Sequence, residues 1–292
     1  MQIQIDALSK SYSKGTHALD NLTLSIGSGM FGLLGPNGAG KSTFMQILAT
    51  LQRPTSGDVA FGSLKIGRDD QQIRELLGYL PQEFGVYKKL TAYEYLDYVA
   101  LMKGLSNTIQ RKLQVNEVLE QVNLTSVRNK KIGGFSGGMK QRVGIAQALL
   151  GNPQVIIVDE PTVGLDPEER IRFRNLLGEW SESKIIILST HIVSDIESSC
   201  SRLAIMRQGK LLFHGTQDEL LVRVADQVWV GVVTEAELAR LRETGTVATA
   251  RKTQNGYEVR VISNVRPFDD AIAASPGLED AYMRMTGGTA IG

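Results

Sequence analysis

The chain has 292 residues, of which 42% are hydrophobic and 22% charged, the proportions of an ordinary globular protein. Its 32 basic and 31 acidic residues leave a net charge of +1, which excludes an overall electrostatic preference for nucleic acid but not a local basic patch. Cys200 is the only cysteine, so an internal disulfide and a cysteine-based zinc cluster are excluded as well.

The start of the chain carries no targeting pattern. Residues 1–14, MQIQIDALSKSYSK, lack the basic start and long apolar core of a signal peptide. The longest apolar runs are far shorter than the ~18 residues that a membrane helix needs. We therefore expect a cytoplasmic protein that reaches a membrane only at its periphery, through a partner. Residues 3–8 and 20–26 alternate apolar and polar side chains, which predicts two antiparallel strands with one buried face.

A phosphate-binding loop follows these strands. Residues 30–43, MFGLLGPNGAGKST, contain a short apolar strand and then a match to G-x-x-x-x-G-K-[ST] at 35–42. The glycines let backbone N–H groups turn toward phosphate oxygens, while Lys41 reaches the outer phosphates and Ser42 offers its hydroxyl to Mg²⁺. A helix predicted at 44–50 would point its positive end at the same anion. The pattern predicts a nucleotide phosphate site.

The next part of the chain changes from strands to helices. Turn residues at 53–57 precede a short predicted strand at 58–61. Apolar residues then recur at helical spacing, which predicts a helical insertion over about 86–152. Within it, Ser136 follows a glycine-rich break and is the expected N-cap of the last helix.

Two long apolar runs indicate strands that are buried on both faces. Residues 155–158 end in Asp159 and Glu160, and residues 185–188 lead to His191, with a predicted helix at 167–180 between them. Alternating strands and helices predict a mostly parallel sheet, and ligands of such sheets bind beyond the carboxyl ends of the strands. The phosphate loop and these polar residues all follow strands, so they should meet at one edge.

The chain ends in a second, smaller unit. Strands at 203–206 and 211–214 form a predicted hairpin that closes the first domain. Beyond it we predict strands at 228–233 and 257–262 and short helices at 235–242 and 267–274. These elements suffice for a small α+β domain.

The order of these motifs resembles that of the ATP-binding subunits of ATP-binding-cassette (ABC) transporters, over about residues 3–220. The most specific feature is the sequence FSGGM at 135–139, which is similar to the family's LSGGQ signature. The matching positions are the Walker A loop at 35–42, the Q-loop glutamine Gln82, the signature, the Walker B strand at 155–160, the D-loop at Gly164, Leu165 and Asp166, the switch histidine His191 and the adenine-stacking Tyr12.

The resemblance implies an α/β fold and an activity. The fold would be a P-loop NTPase core with a mostly parallel sheet, an antiparallel β subdomain and a helical insertion. The ATP-binding domain would span residues 1–220, and a small accessory domain residues 221–292. The activity would be ATP hydrolysis that drives a substrate across a membrane. The sequences of residues 80–87, 91–94 and 278–282 resemble those of the branch of the family that exports drugs, lipids or polysaccharides.

The resemblance also assigns roles to residues. Glu160 would polarise the attacking water as general base, His191 would contact the γ-phosphate, and Lys41 would hold the β- and γ-phosphates. Mg²⁺ would be placed by Ser42, Gln82 and Asp159, directly or through water. The expected ATP-binding residues are Tyr12, Gly35, Pro36, Asn37, Gly38, Ala39, Gly40, Lys41, Ser42, Thr43, Gln82, Ser136, Gly137 and Gly138.

Two partners follow from the resemblance. Only one set of motifs is present, so Ser136 and its glycines would bind ATP held by the Walker A loop of a second copy, in a head-to-tail dimer. A separate permease would dock near Gln82 and the helical insertion, on the cytoplasmic face of the membrane. Phe135 and Met139 depart from the usual signature. Met139 lacks the hydrogen-bonding amide of glutamine, which leaves the dimer geometry open.

Three alternative functions would leave other marks in the sequence. A soluble ABC ATPase acting on nucleic acid or ribosomes is the first alternative, although its long coiled-coil insertion or second cassette is not visible. A GTPase would need Asn-Lys-x-Asp, and residues 129–131 are followed by Ile132. A non-catalytic binding module is disfavoured by Glu160. For the C-terminal unit, structural and regulatory roles both stay open.

Overall fold

A computed structural model describes residues 1–12, 15–82, 85–162 and 165–287. The strands are β1 (Ile3–Ser11), β2 (His17–Ile26), β3 (Gly29–Leu34), β4 (Ser56–Phe61), β5 (Leu64–Lys65), β6 (Leu77–Leu80), β7 (Val155–Asp159), β8 (Ile185–Thr190), β9 (Arg202–Arg207), β10 (Lys210–Thr216), β11 (Val228–Val233), β12 (Thr246–Thr253), β13 (Gly256–Ile262) and β14 (Ile272–Ala273). The helices are α1 (Lys41–Leu48), α2 (Asp70–Leu76), α3 (Ala92–Met102), α4 (Thr108–Gln121), α5 (Gly137–Leu149), α6 (Pro167–Ser181), α7 (Val193–Glu197), α8 (Gln217–Val222), α9 (Glu235–Thr244) and α10 (Leu278–Thr286). None of these described helices combines the length and apolar character that a membrane span needs.

A six-stranded sheet, ordered β10-β9-β3-β8-β7-β6, forms the centre of the molecule. Five of its strands are parallel and β10 pairs antiparallel to β9 at the edge. Every residue of β7 and β8 is buried, as their continuous apolar runs predicted. Because β3, β8 and β7 are neighbours and parallel, their carboxyl ends lie side by side.

An antiparallel sheet, β2-β1-β4-β5, packs against α1 and one face of the central sheet. The two predicted strands at 3–8 and 20–26 are confirmed, but both are longer. Pairing continues from Lys10 with Leu19 to Ser11 with His17. Leu19 is buried, but Lys10 and Ser11 are partly exposed and His17 is exposed, so the apolar alternation that marks the rest of the strands is lost there.

The described residues between 86 and 152 are mainly helical, as predicted. Thr91 and Glu94 form a capping box at α3, and the Asn107 side chain caps α4. The three long helices α3, α4 and α5 share one apolar cluster with the central sheet. The predicted cap at Ser136 is confirmed, because its hydroxyl accepts a hydrogen bond from the Met139 N–H at 3.2 Å.

The C-terminal residues form a third sheet, ordered β12-β13-β11-β14, with α9 on one face. The helix predicted at 267–274 is wrong. The chain turns there and pairs β14 with β11, while the ring of Phe268 lies over Gly231, where a Cβ would come within 2.6 Å of it. Tertiary pairing overrides the helical composition of this segment.

The last described helix, α10, packs back against the first part of the chain. Leu278 and Tyr282 join the apolar cluster that also contains Ile196 of α7. The Arg260 guanidinium of β13 binds the buried carboxylate of Asp280 through two bonds of 2.8 and 2.7 Å. The third sheet is therefore tied to α10, and α10 to α7.

Candidate functional site

The loop between β3 and α1 is shaped for an anion. Gly40 has a φ of +101°, and a Cβ at this position would lie 2.4 Å from the Ala18 carbonyl oxygen. Gly40 is also the N-cap of α1, so no side chain caps the first N–H groups of that helix. These groups, with the positive end of the helix dipole, stay available to a phosphate. The helix begins at Lys41, three residues before the predicted start.

Lys41 lies over this loop with its charge almost fully enclosed. Its side chain is 4% exposed, and its ammonium donates hydrogen bonds to the carbonyl oxygens of Gly35 at 2.7 Å and Pro36 at 3.3 Å. The same Nζ lies 3.2 Å from Oε1 of Glu160. The ammonium therefore lies beside the loop that the motif predicts will hold the outer phosphates of a nucleotide.

Glu160 follows β7 and occupies the middle of the site. It has a φ of +47°, and its backbone N–H donates to the Ser189 carbonyl oxygen at 3.0 Å. Its Oε2 lies 3.1 Å from Nδ1 of His191, which follows β8. The parallel register that pairs Asp159 with Ser189 brings these two segments together. Glu160 therefore contacts Lys41 on one side and His191 on the other.

Asp159 is the last residue of β7 and is 2% exposed. Burial raises the pKa of its carboxyl, whereas the nearby hydroxyls of Ser189 and Ser42 act to lower it. Its Oδ1 is buried and has no hydrogen-bond partner among the described residues. An enclosed carboxylate oxygen without a donor, close to a hydroxyl, suits a hard cation such as Mg²⁺. The residues present therefore fit the predicted metal.

A cavity of about 480 Å³ opens above the phosphate loop. This volume is in the range of small-ligand sites. Most of the predicted ATP-binding positions meet there. The lining residues are Tyr12, Thr16, His17, Ala18, Asn37, Gly38, Ala39, Gly40, Lys41, Ser42, Thr43, Gln82 and Glu160.

The aromatic side of the cavity is held in place by polar contacts. The hydroxyl of Tyr12 donates to Oε1 of Gln52 at 2.8 Å, which leaves its ring 41% exposed toward the cavity mouth. Thr16, His17 and Ala18 also line the cavity, although the sequence did not single them out. The only sequence feature that could have indicated these three residues is their position shortly after Tyr12. The composition of that segment is otherwise ordinary for a polar loop.

The signature residues lie elsewhere. Ser136, Gly137 and Gly138, predicted to bind ATP, are absent from the lining of this cavity. Ser136 and Gly137 are exposed at the beginning of α5. Met139, which replaces the usual glutamine, is partly buried and packs against the main apolar cluster. In the predicted D-loop, Gly164 lies outside the described residues, whereas Asp166 caps α6 by accepting from the Glu169 N–H at 2.9 Å.

We expect Asp159→Asn to separate stability from metal binding. The amide removes a buried charge, so the free energy of unfolding without nucleotide should rise by about 1 kcal/mol at pH 7. The pKa of Asp159 in the folded protein lies above its ordinary value of 3.8, so the folded wild type is most stable with this carboxyl protonated. The wild type therefore loses free energy of unfolding as pH rises through the folded pKa and the buried carboxyl ionises, whereas the amide does not ionise. Urea unfolding at pH 7 measures the gain.

The same variant should bind MgATP at least tenfold more weakly, since the metal loses a carboxylate ligand. The exposed Asp58→Asn offers a matched control, which should change neither quantity. Mg²⁺-dependent binding at the wild-type level in Asp159→Asn would contradict the metal assignment.

Comparisons with known proteins agree with this geometry. The family model described as ABC transporter matches residues 19–163. The linearmycin resistance ATP-binding protein LnrL of Bacillus subtilis is 32% identical over a 309-residue alignment that covers 98% of this chain and 99% of LnrL. ABC transporter A family member 8 of Dictyostelium discoideum is 38% identical over 239 residues, or 80% of this chain and 28% of that much longer protein.

A solved structure with a similar fold is the ATP-binding cassette MJ0796, in a dimeric post-hydrolysis state bound to ADP and Pi. It superposes with a TM-score of 0.66 at 28% sequence identity, and covers 73% of this chain and 98% of that one.

Proposed function

Because the chain belongs to the ABC transporter family as one of its ATP-binding subunits, we propose that it is the motor of an exporter whose membrane-spanning part is a separate permease. The chain is an ATPase that uses ATP with Mg²⁺. The observation that carries the mechanism is the position of Glu160, held between Lys41 and His191 at the mouth of the phosphate loop. The relative LnrL, named for linearmycin resistance, supports export.

The mechanism begins with an exchange of partners. In the structure the Lys41 ammonium pairs with Glu160. When ATP binds, its β- and γ-phosphates take this ammonium and the free N–H groups of α1. The Glu160 carboxylate is then released to accept the proton of an attacking water. Nucleotide binding therefore frees the general base at the moment when a substrate is present.

The remaining residues position the reactants. Tyr12 would offer its exposed ring to the adenine, and His191, hydrogen bonded to Glu160, would contact the γ-phosphate. Bound Mg²⁺ would neutralise charge on the phosphate oxygens. Asp159, Ser42 and Gln82 would hold it. Phosphoryl transfer to water needs positioning and charge compensation, and these side chains supply both.

A second copy of the chain completes the site in this proposal. Ser136 and Gly137 are exposed at the positive end of α5 and do not reach the cavity of their own chain. A head-to-tail dimer would bring them to the γ-phosphate held by the opposing Walker A loop. The dimeric arrangement of the similar cassette MJ0796 supports this partner.

The permease would dock on an apolar surface beside the helical region. A groove of about 200 Å³ runs between α1, β6 and α3, and Leu51, Tyr79 and Val99 are among its lining residues. On the same helix, α3, the side chains of Tyr98 and Leu101 are exposed as well. A membrane-protein segment docked on α3, with apolar side chains toward the groove and toward these two residues, would cover this surface. Such docking would hold the chain on the cytoplasmic face of the membrane.

Residues 221–292 form the accessory unit of this proposal. Its helix α10 packs against α7, the helix that follows His191. A shift of the third sheet would therefore move α10 and α7, beside the switch histidine. This connection favours a regulatory role for the accessory unit over a purely structural one. Neither the net charge of +1 nor any of these surfaces supports the alternative function on nucleic acid or ribosomes.

Purification from solubilised membranes tests the proposal. The wild-type chain should recover a multispanning protein, and Leu101→Glu should lose it because a charge enters the apolar surface while the ATP cavity is untouched. Ile109→Glu places the same charge on another exposed apolar side chain, on α4, and serves as the matched control. Recovery of ribosomes or DNA by the wild type would contradict the transporter assignment.

A further inference from the structure

A buried acidic residue outside the proposed mechanism lies close to it in the chain. Asp195 is 1% exposed and belongs to α7, four residues after His191. Its Oδ2 accepts a hydrogen bond of 2.7 Å from the hydroxyl of Thr162, which is also 1% exposed. Its Oδ1 has no hydrogen-bond partner among the described residues, and the nearest cation is Nη1 of Arg174 at 3.6 Å.

The three residues come from the three segments that surround the reaction. Thr162 lies two residues after Glu160, and Asp195 follows His191. Arg174 belongs to α6, the helix that begins after Asp166. The cluster therefore joins the segment of the general base to the segment of the switch histidine, and the bond between Thr162 and Asp195 at its centre is buried.

The burial of Asp195 has an energetic cost that its contacts must offset. A buried carboxylate is unfavourable unless it is paired, and here its main partner is one hydroxyl. A hydrogen bond to a charged acceptor is roughly twice as strong as one between neutral groups. The Asp195 charge thus fixes the Thr162 side chain, and with it the backbone two residues after Glu160.

Glu160, two residues before Thr162, is a strained residue. It has a φ of +47°, a left-handed conformation that is unfavourable for a residue with a side chain. Residues remain in such conformations only where the surrounding structure holds them. Glu160 is held on its N-terminal side by its N–H bond to the Ser189 carbonyl. On its C-terminal side, after the buried Pro161, the chain is held by the buried hydrogen bond between Thr162 and Asp195.

We propose that Asp195 is a positioning residue: through Thr162 it holds Glu160 in its left-handed conformation and so keeps the general base beside His191. This inference rests on the proposed role of Glu160. It makes the buried bond a requirement for turnover and not for nucleotide binding, since neither residue lines the ATP cavity.

Removal of the hydroxyl tests the inference in the full-length chain. Thr162→Val keeps the shape of the side chain and should lower kcat about tenfold, because a small displacement of a general base slows proton transfer strongly. The Kd for ATP, measured by equilibrium titration, should stay within about twofold. Thr162→Ser restores the hydroxyl and should restore kcat. A merely structural role would lower the thermal midpoint and leave kcat of the folded fraction unchanged.

Two further variants complete the experiment. Asp195→Asn keeps an acceptor oxygen without the charge, so its kcat should lie between those of the wild type and Thr162→Val, and the double variant should be no slower than Thr162→Val alone. Ser198→Ala removes the 2.8 Å contact of Arg174 with Ser198 and should leave kcat unchanged. Wild-type kcat in both Thr162→Val and Asp195→Asn would overturn the inference.

The outcome is separable from that of the proposed function. Absence of ATP hydrolysis by the wild type, or full turnover by Glu160→Gln, would contradict the proposed mechanism itself. If Glu160→Gln is inactive while Thr162→Val is fully active, the mechanism stands and only the role of Asp195 fails.

Discussion

Glu160→Gln should reduce ATP turnover by about 10²–10⁴-fold, because the amide can no longer accept a proton from the attacking water. The substitution keeps the shape of the side chain and leaves a donor or acceptor for His191, so the fold should be preserved. A phosphate-release assay under saturating MgATP measures the loss. Turnover near the wild-type rate would remove Glu160 from its role as general base.

The same variant should bind ATP more tightly than the wild type. The Lys41 ammonium lies 3.2 Å from the Glu160 carboxylate, and the phosphates of ATP would replace that partner. The neutral amide replaces this ion pair with a weaker contact, so the phosphates can bind the Lys41 ammonium at a lower cost in free energy. With hydrolysis blocked, ATP-bound dimers should accumulate, and size-exclusion chromatography with MgATP would show them.

The exposed Glu182→Gln makes the same chemical change at the end of α6 and serves as the control. Its turnover, ATP affinity and elution volume should equal those of the wild type. A tighter ATP complex in Glu160→Gln but not in Glu182→Gln would link the gain in affinity to the release of Lys41.

The sequence predicted the central part of the fold because its signals are local. Continuous apolar runs mark β7 and β8, and polar residues at their ends mark the edge where the site lies. The glycine pattern predicted the phosphate loop, although the helix begins at Lys41, earlier than its apolar residues suggest. The cap at Ser136 was predictable for the same reason, since a cap depends on neighbours in the chain.

The features that the sequence did not predict depend on contacts between distant segments. Strand β12 is polar and exposed along most of its length, and only its pairing with β13 makes it a strand. The segment at 267–274 forms β14 because β11 offers an edge. His17 lines the cavity because β1 and β2 extend beyond their apolar part. The bond between Thr162 and Asp195 spans 33 positions and has no local pattern.

The predicted composite site can be tested at Gly137, the first residue of α5. A Cβ at this position would have nothing within 4 Å in its own chain, and an acidic residue suits the first turn of a helix. Gly137→Asp should therefore leave the free energy of unfolding unchanged or slightly raised. If the partner's γ-phosphate approaches this position, the added charge should repel it and reduce turnover at least 10²-fold.

The decisive measurement combines two inactive variants. Lys41→Ala removes the ammonium that holds the phosphates, and Gly137→Asp blocks the surface that would close over them. In a mixed dimer one site carries both defects, whereas the other has an intact Lys41 from one chain and an intact Gly137 from its partner. With random pairing, half of the dimers are mixed and half of their sites are intact, so mixing should restore about a quarter of wild-type turnover.

Gln110→Asp places the same charge in the first turn of α4, far from the phosphate loop, and should be fully active alone. If each chain binds and hydrolyses ATP with its own residues only, mixing cannot restore turnover. Every chain in the mixture still carries one of the two inactivating substitutions. Persistent inactivity of the mixture, with mixed dimers demonstrated by differently tagged chains, would contradict a site shared between two copies. Recovery would show that the loop at 35–42 is one half of an ATP site and that the exposed beginning of α5 is the other.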